Sequence, residues 1–351
     1  MRFAYSEHAT MAKASSSSRT RIEWLWKSNK DPWSSTEPEE WSVFSDVEIA
    51  IIEDGFQRKL SEVLLDSYHI DFQRSVQISN VNANQQRPVK RIDKTRSTAE
   101  VRLREARFMP NPINPSTPFT AQTNLLMFFG EFYKHYDITN DQNLNDPNTI
   151  RMLIEKAAEG IIIEGKLVGK QKEAEWIAEQ LLKMKDANQD EIWQCCAHIY
   201  TMESFLYQKM NEYMRLAGDK QHEELWKSKI LTFGPFAFLL SALKTTKKYS
   251  KMTVYRGANL SDDLISKYRD NLDAYLTFPA FTSTSRNRAK AEQFGNVLFA
   301  INISTLDGAD VSSYSAYPDE EETLLSFDFA FYIRSCNFDA NKNKWVIELS
   351  P

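Results

Sequence analysis

The sequence predicts an α+β protein: a small sheet wrapped on one helix, a long helical middle, and a strand-rich end. Three observations carry this. Tryptophans cluster in alternating segments near the start; apolar residues recur at helical spacing from Gln122 to Lys248; and β-type runs separated by turn residues follow Lys251. With 351 residues there is room for two domains, and 42% apolar against 26% charged residues is a globular composition. Acid and base nearly balance, at a net charge of −5, so no general nucleic-acid binding is expected. No apolar run reaches the length of a membrane span, and Met1–Thr20 holds a serine run without an apolar core of the secretory type. The expectation is an intracellular chain with no membrane partner. Three cysteines, Cys195, Cys196 and Cys336, lack metal-ligand spacing and read as buried thiols, so no metal is expected.

Residues 1–21 read as a flexible polar tail. Trp24, Trp26, Trp33 and Trp41 are half of the eight tryptophans. Trp24-Leu25-Trp26 and Trp41-Ser42-Val43-Phe44 alternate as half-buried strands do, with Asp31-Pro32 turning between them. Ser45-Asp46-Val47-Glu48 is an N-cap followed by acids, and Ile49, Ile52, Glu53 and Phe56 continue at helical spacing. Short β-type segments follow at Val63-Leu65, Tyr68-Phe72, Val76-Ile78 and Arg87-Arg91. In order, these residues resemble the WWE domains over 22–95. The features are Trp-x-Trp, Trp41, the helix glutamate Glu53, Tyr-x-Ile-Asp-Phe, Gln77 and the closing Arg-Pro-Val-Lys-Arg. The resemblance implies a half-barrel of strands around the helix. It also implies a site for the iso-ADP-ribose unit of poly(ADP-ribose), or for a partner protein. Trp26 and Trp41 would border the adenine or ribose, while Tyr68, Gln77 and Arg87 would supply hydrogen bonds and a phosphate partner. On the residues alone, each of these tryptophans reads equally well as core.

Between Lys90 and Arg107 there are four more basic than acidic residues. Pro110, Pro112, Pro115 and Pro118 then mark a linker over 96–118. Helical patterns fill 119–250, with Asp146-Pro147 as a helix start and Gly218 and Gly234-Pro235 as stops. No cluster of charged or histidine side chains stands out there.

Beyond residue 251 the chemistry gathers. Met252-Thr253-Val254-Tyr255-Arg256-Gly257 reads as a strand ending in a cation beside a glycine. Phe278 to Arg286 alternates hydroxyls, with Ser283 and Ser285 on one face and Thr282 and Thr284 on the other. Tyr317-Pro318-Asp319-Glu320-Glu321-Glu322-Thr323-Leu324-Leu325 runs three acids into an apolar strand. Taken as extended chain, it points Glu320 and Glu322 one way and Glu321 the other. The order Arg, Ser-Thr-Ser, Glu-x-Glu resembles the R-S-E class of mono-ADP-ribosyltransferases, with Thr323 where that class usually has Val or Ile. Phe205 to Leu216 is also similar to the helix that precedes its core.

This resemblance implies a β-sandwich-like transferase core within residues 119–351, with NAD+ as substrate and arginine-containing proteins as acceptors. Arg256 would grip the pyrophosphate and Gly257 would admit the dinucleotide. Ser283, with Thr284 and Ser285, would orient the ribose side, and Phe294 would lie near the nicotinamide. Glu322 would stabilise the oxocarbenium-like centre formed as the glycosidic bond breaks. Glu320 would aim the incoming guanidinium, and the loop bearing Tyr314 and Tyr317 would touch the target. Rival readings are an NAD+ glycohydrolase, with water as acceptor, and a non-catalytic poly(ADP-ribose)-binding adaptor.

Overall fold

A computed structural model describes residues 21–94, 120–121, 127–138, 146–242, 250–315, 317–327 and 329–351. Residues 1–20 of the expected polar tail and the linker over 96–118 lie outside the described residues, while Arg21, expected in that tail, instead opens the first strand.

The first sheet is antiparallel, in the order β2-β1-β6-β5-β4-β3. Its strands are β1 (Arg21–Lys27), β2 (Trp41–Val43), β3 (Glu62–Leu64), β4 (Tyr68–Asp71), β5 (Val76–Ser79) and β6 (Gln86–Lys94). Strand β6 joins the two ends of the sheet, pairing with β5 through residues 86–88 and with β1 through residues 89–94. Trp24, Phe44, Leu65, Ile70 and Val89 close a small core against Ile52 of helix α1 (Asp46–Gln57). The helix starts where the sequence predicts. Ser45 Oγ accepts from the Glu48 amide at 3.3 Å, and the Glu48 carboxylate accepts from the Ser45 amide at 3.0 Å, a reciprocal capping box. Glu53 fixes the far side of α1, pairing with Arg91 at 2.9 Å and accepting from the Trp24 indole at 2.9 Å. Those contacts hold its carboxyl at about 2 against the opposing pull of burial.

Helices fill the middle: α2 (Met127–Tyr136), α3 (Pro147–Leu167), α4 (Gln171–Leu182), α5 (Gln189–Thr201), α6 (Phe205–Arg215), α7 (Glu223–Ser228) and α8 (Ile230–Ala242). Asp146 caps α3, with Pro147 in its first turn. Val47 and, less deeply, Ile51 of α1 pack into this helical core, so the first sheet is joined to it by apolar contact.

The last part is a nine-stranded sheet in the order β12-β13-β10-β8-β11-β15-β14-β9-β7. Its strands are β7 (Thr120–Ala121), β8 (Lys251–Ala258), β9 (Tyr275–Thr277), β10 (Thr282–Ser285), β11 (Val297–Ser304), β12 (Gly308–Asp310), β13 (Glu322–Leu325), β14 (Ala330–Asp339) and β15 (Lys344–Ser350). Helices α9 (Asp262–Asp270) and α10 (Arg288–Ala291) interrupt it. Between β8 and β10 a single registered pair, Ser285–Tyr255, joins the two parts of the sheet. Side chains from both parts, Val254, Phe299, Leu325 and Phe331 among them, share one core. The architecture is α+β, and the seam at β8/β10 is where the candidate side chains gather.

Candidate active site and a second ligand face

β10 is flanked on both edges, so its hydroxyl run is buried: Ser283 is 5% exposed, and Thr284 and Ser285 less. Its register with β13 sets Ser285 opposite Glu322 and Ser283 opposite Leu324. Ser283, Ser285 and Glu322 therefore share one face, and Ser285 is the direct neighbour of Glu322 with Ser283 diagonal to it. Glu322 is fully buried and Glu320 is 3% exposed. Arg256, from β8, donates to the Ser283 carbonyl at 2.8 Å, which ties the cation to the same strand.

Burial, and then the nearby Arg215 guanidinium of α6, push Arg256 down to about 10, while Tyr200, Tyr268 and Glu322 act in the other direction. Arg215 is lowered by burial as well. Two buried guanidiniums near enough to disfavour one another's charge gain most from an anion between them, and a diphosphate has the charge and the oxygens for both.

The acid run is not an extended strand throughout. Pro318–Glu320 is a short 3-10 turn, Glu321 sits in the left-handed region at φ 49°, and the strand begins only at Glu322. The Tyr317 carbonyl accepts from the Glu320 amide at 3.0 Å, and the Ser285 hydroxyl donates to the Glu320 carbonyl at 2.7 Å. Glu320 and Glu322 both end up buried, through a backbone reversal and not through pleat alternation. Glu321, expected to point away from the other two acids, accepts from the Asn287 amide at 3.2 Å and carries a positive φ. Its backbone narrows what can replace it.

Other expected site residues lie elsewhere. A Cβ on Gly257 would stand 2.2 Å from the Ala291 carbonyl and 2.7 Å from the Phe294 Cβ. The glycine is thus required by the chain segment packed on it, before any ligand is considered. Phe294 is 3% exposed and presents almost no ring surface to a cleft. Thr284 turns to the other face of β10 and donates to the Thr323 carbonyl at 2.6 Å, so it is structural. The two loop tyrosines point inward. Tyr314 meets the Trp193 ring edge to face at 5.5 Å, and its carbonyl is 2.8 Å from His198 Nδ1. Tyr317 donates to Asp46 at 2.7 Å and stacks under Arg21, both in the first domain.

On the first domain, register decides which residues meet. Trp26 faces Val89, Arg87 lies two residues before Val89 opposite Gln77, and Gln77 faces Ile70, which Tyr68 precedes by two. Trp26, Arg87, Gln77 and Tyr68 therefore share one face. Trp41 pairs with Lys27, the residue after Trp26, and so belongs to the opposite face, where the Lys90 ammonium lies 3.8 Å from its ring centre. Trp41 is thereby separated from the other expected ligand residues. Arg87 is oriented by donating to the Lys27 and Asn29 carbonyls at 2.9 and 2.7 Å. Gln77 is 3% exposed, and its Oε1 is a buried acceptor with no donor among the described residues. Such a group calls for a ligand or water donor.

A sequence model of the NAD:arginine ADP-ribosyltransferase family matches residues 170–351. The chain belongs to that family. Residues 22–91 match the WWE domain. A putative NAD(+)--arginine ADP-ribosyltransferase, Mav of Mycobacterium avium, is 38% identical over 111 residues, which cover 29% of this chain and 13% of that protein. The aligned stretch thus spans a small part of that relative's length. Among solved structures, HopU1 of Pseudomonas syringae is 23% identical at a TM-score of 0.35, covering 50% of this chain and 86% of its own. XopAI of Xanthomonas axonopodis is 14% identical at a TM-score of 0.43, covering 64% and 98%.

The sequence alone marks no chemistry in the helical segment, where the structure places Arg215, Asn211 and Tyr200. Asn211 is buried and donates to the Tyr200 hydroxyl at 2.7 Å, and its Oδ1 has no donor among the described residues. Asn211 and Arg215 stand four apart, on one helix face. That spacing was the available signal. Among the described residues no helix is long and apolar enough to cross a membrane, and no group of three or more His, Cys, Asp or Glu is placed to hold a metal.

Proposed function

We propose that the chain transfers ADP-ribose from NAD+ to arginine side chains of proteins. The observation that carries the reading is the buried Glu322, facing Ser285 across the strand pair, with Arg256 tied to the same strand and Arg215 beside it. Arg256 and Arg215 take the pyrophosphate. Glu322 stabilises the positive charge that develops on the ribose as nicotinamide leaves, and a neutral leaving group needs no general acid. Glu320 pairs with the acceptor guanidinium, which is otherwise protonated and a poor nucleophile. It aims one nitrogen and receives its proton.

The WWE domain holds iso-ADP-ribose on the face of Trp26, Tyr68, Gln77 and Arg87, with the free acceptor of Gln77 as the supporting observation. That face brings the enzyme to ADP-ribosylated proteins.

The experiment combines labelled NAD+ with agmatine. Glu322→Gln is expected to abolish both nicotinamide release and labelling, whereas Glu320→Gln loses labelling and retains release. Equal labelling by wild type and Glu322→Gln would sink the assignment. Equal loss of labelling and release in Glu320→Gln would remove its acceptor role.

A further inference from the structure

We propose that Asp46 of the WWE domain is a positioning residue for the acceptor glutamate Glu320, so that the WWE domain is part of the transfer machinery as well as a ligand reader. The inference rests on the transfer reading above and extends it to the first domain.

Asp46 opens helix α1 and is 6% exposed. One carboxylate oxygen accepts from the Tyr317 hydroxyl at 2.7 Å and from Arg21 at 3.1 Å, and the other accepts from the Glu203 amide at 2.6 Å. Arg21 also donates to the Tyr317 hydroxyl, and its guanidinium carbon lies 3.7 Å from the centre of that ring. The tyrosine is held by its hydroxyl and by its ring face, both from the first domain. Its carbonyl in turn accepts from the Glu320 amide at 3.0 Å. A carboxylate on the WWE domain is therefore one side chain and one backbone hydrogen bond away from the residue that meets the acceptor.

Glu320 and Glu322 differ in what holds them. Glu322 lies in β13 and is fixed by pairing with β10. Glu320 lies in a 3-10 turn, held at its carbonyl by Ser285 and at its amide by Tyr317. Releasing Tyr317 loosens the turn on one side and leaves the strand in place. Aiming a guanidinium depends steeply on the placement of its partner. The transfer step therefore depends on the WWE anchor more than cleavage of NAD+ does.

The test uses the full chain with Tyr317→Phe, Asp46→Asn and the double variant. Agmatine transfer is measured as KM and kcat, nicotinamide release is measured without agmatine, and hydrogen exchange is followed at the Glu320 and Glu321 amides. Tyr317→Phe is expected to raise the agmatine KM and lower the ratio of transfer to hydrolysis about ten-fold. Asp46→Asn acts in the same direction, and the double variant is no worse than the stronger single, because both break one path. Exchange at the two amides speeds up in each variant. A ratio within about two-fold of wild type in Tyr317→Phe overturns the proposal, as do single effects that multiply in the double. Faster transfer on breaking the anchor also overturns it, as do unchanged exchange rates. If wild type neither releases nicotinamide nor modifies agmatine, the transfer reading fails by itself and exchange still decides the anchor.

Discussion

Glu173 makes stability fall as pH rises through a defined window. It lies in the first turn of α4, 2% exposed, and its carboxylate accepts from the Phe205 amide at 2.7 Å. That amide begins α6, whose own N-cap, Ser204, makes no side-chain cap. Burial pushes the Glu173 carboxyl up to about 7, with Glu48 and Asp66 of the WWE domain adding to the rise against Phe205 and Lys170. In the unfolded chain the same group titrates near 4.5. Below 4.5 both states hold the proton, and above 7 neither does. In between the folded state alone holds it, so stability is lost as pH rises from 4.5 to about 7. The interval corresponds to about 3 kcal/mol. Glu173→Gln keeps an acceptor for the Phe205 amide and has no proton to lose. Urea denaturation followed by tryptophan emission, at about pH 5 and about pH 7.5, compares the two chains. The variant is expected to gain about 2 kcal/mol on wild type between those pH values. A difference that stays constant with pH refutes the reasoning.

Three further outcomes follow from single contacts. Asp66 reaches from the WWE domain to accept from the Lys172 and Glu173 amides at 2.6 and 3.3 Å, capping α4, which has no side-chain cap of its own. Asp66→Ala is expected to cost about 1 kcal/mol by denaturation and to speed hydrogen exchange at those amides. Gly257→Ala drives a Cβ against the Ala291 carbonyl; a loss of about 1–3 kcal/mol, with a higher KM for NAD+ as Arg256 shifts, is expected by thermal melting and initial rates. On the WWE domain, Gln77→Ala should weaken iso-ADP-ribose binding about ten-fold by calorimetry, while Trp41→Ala, on the opposite face, stays within about two-fold of wild type.

Local chemistry made much of this legible. Ser45 with Glu48 and Asp146 with Pro147 each specify their helix start through contacts a few residues away, and the hydroxyls from Thr282 to Ser285 alternate as a strand requires. The acid run was legible in content but not in path. Nothing in Asp-Glu-Glu-Glu announces that Glu321 takes a left-handed conformation, since that is settled by Asn287 and Arg286 from another strand's end. Gly257 looks like room for a ligand in the sequence because the segment that occupies the room arrives over thirty residues later. Arg215 was not identified because its meaning depends on Arg256, brought beside it only by the tertiary fold. The contact of Tyr317 with Asp46 spans 271 positions, beyond any local pattern.

Mass spectrometry of acceptor residues tests most directly whether the buried Glu322 serves transfer to arginine. The full chain is incubated with NAD+ and a histone mixture, alongside Glu322→Gln. ADP-ribose is expected on arginine side chains with wild type and on none with the variant. Modification confined to other side chains, or equal modification by both chains, would contradict it.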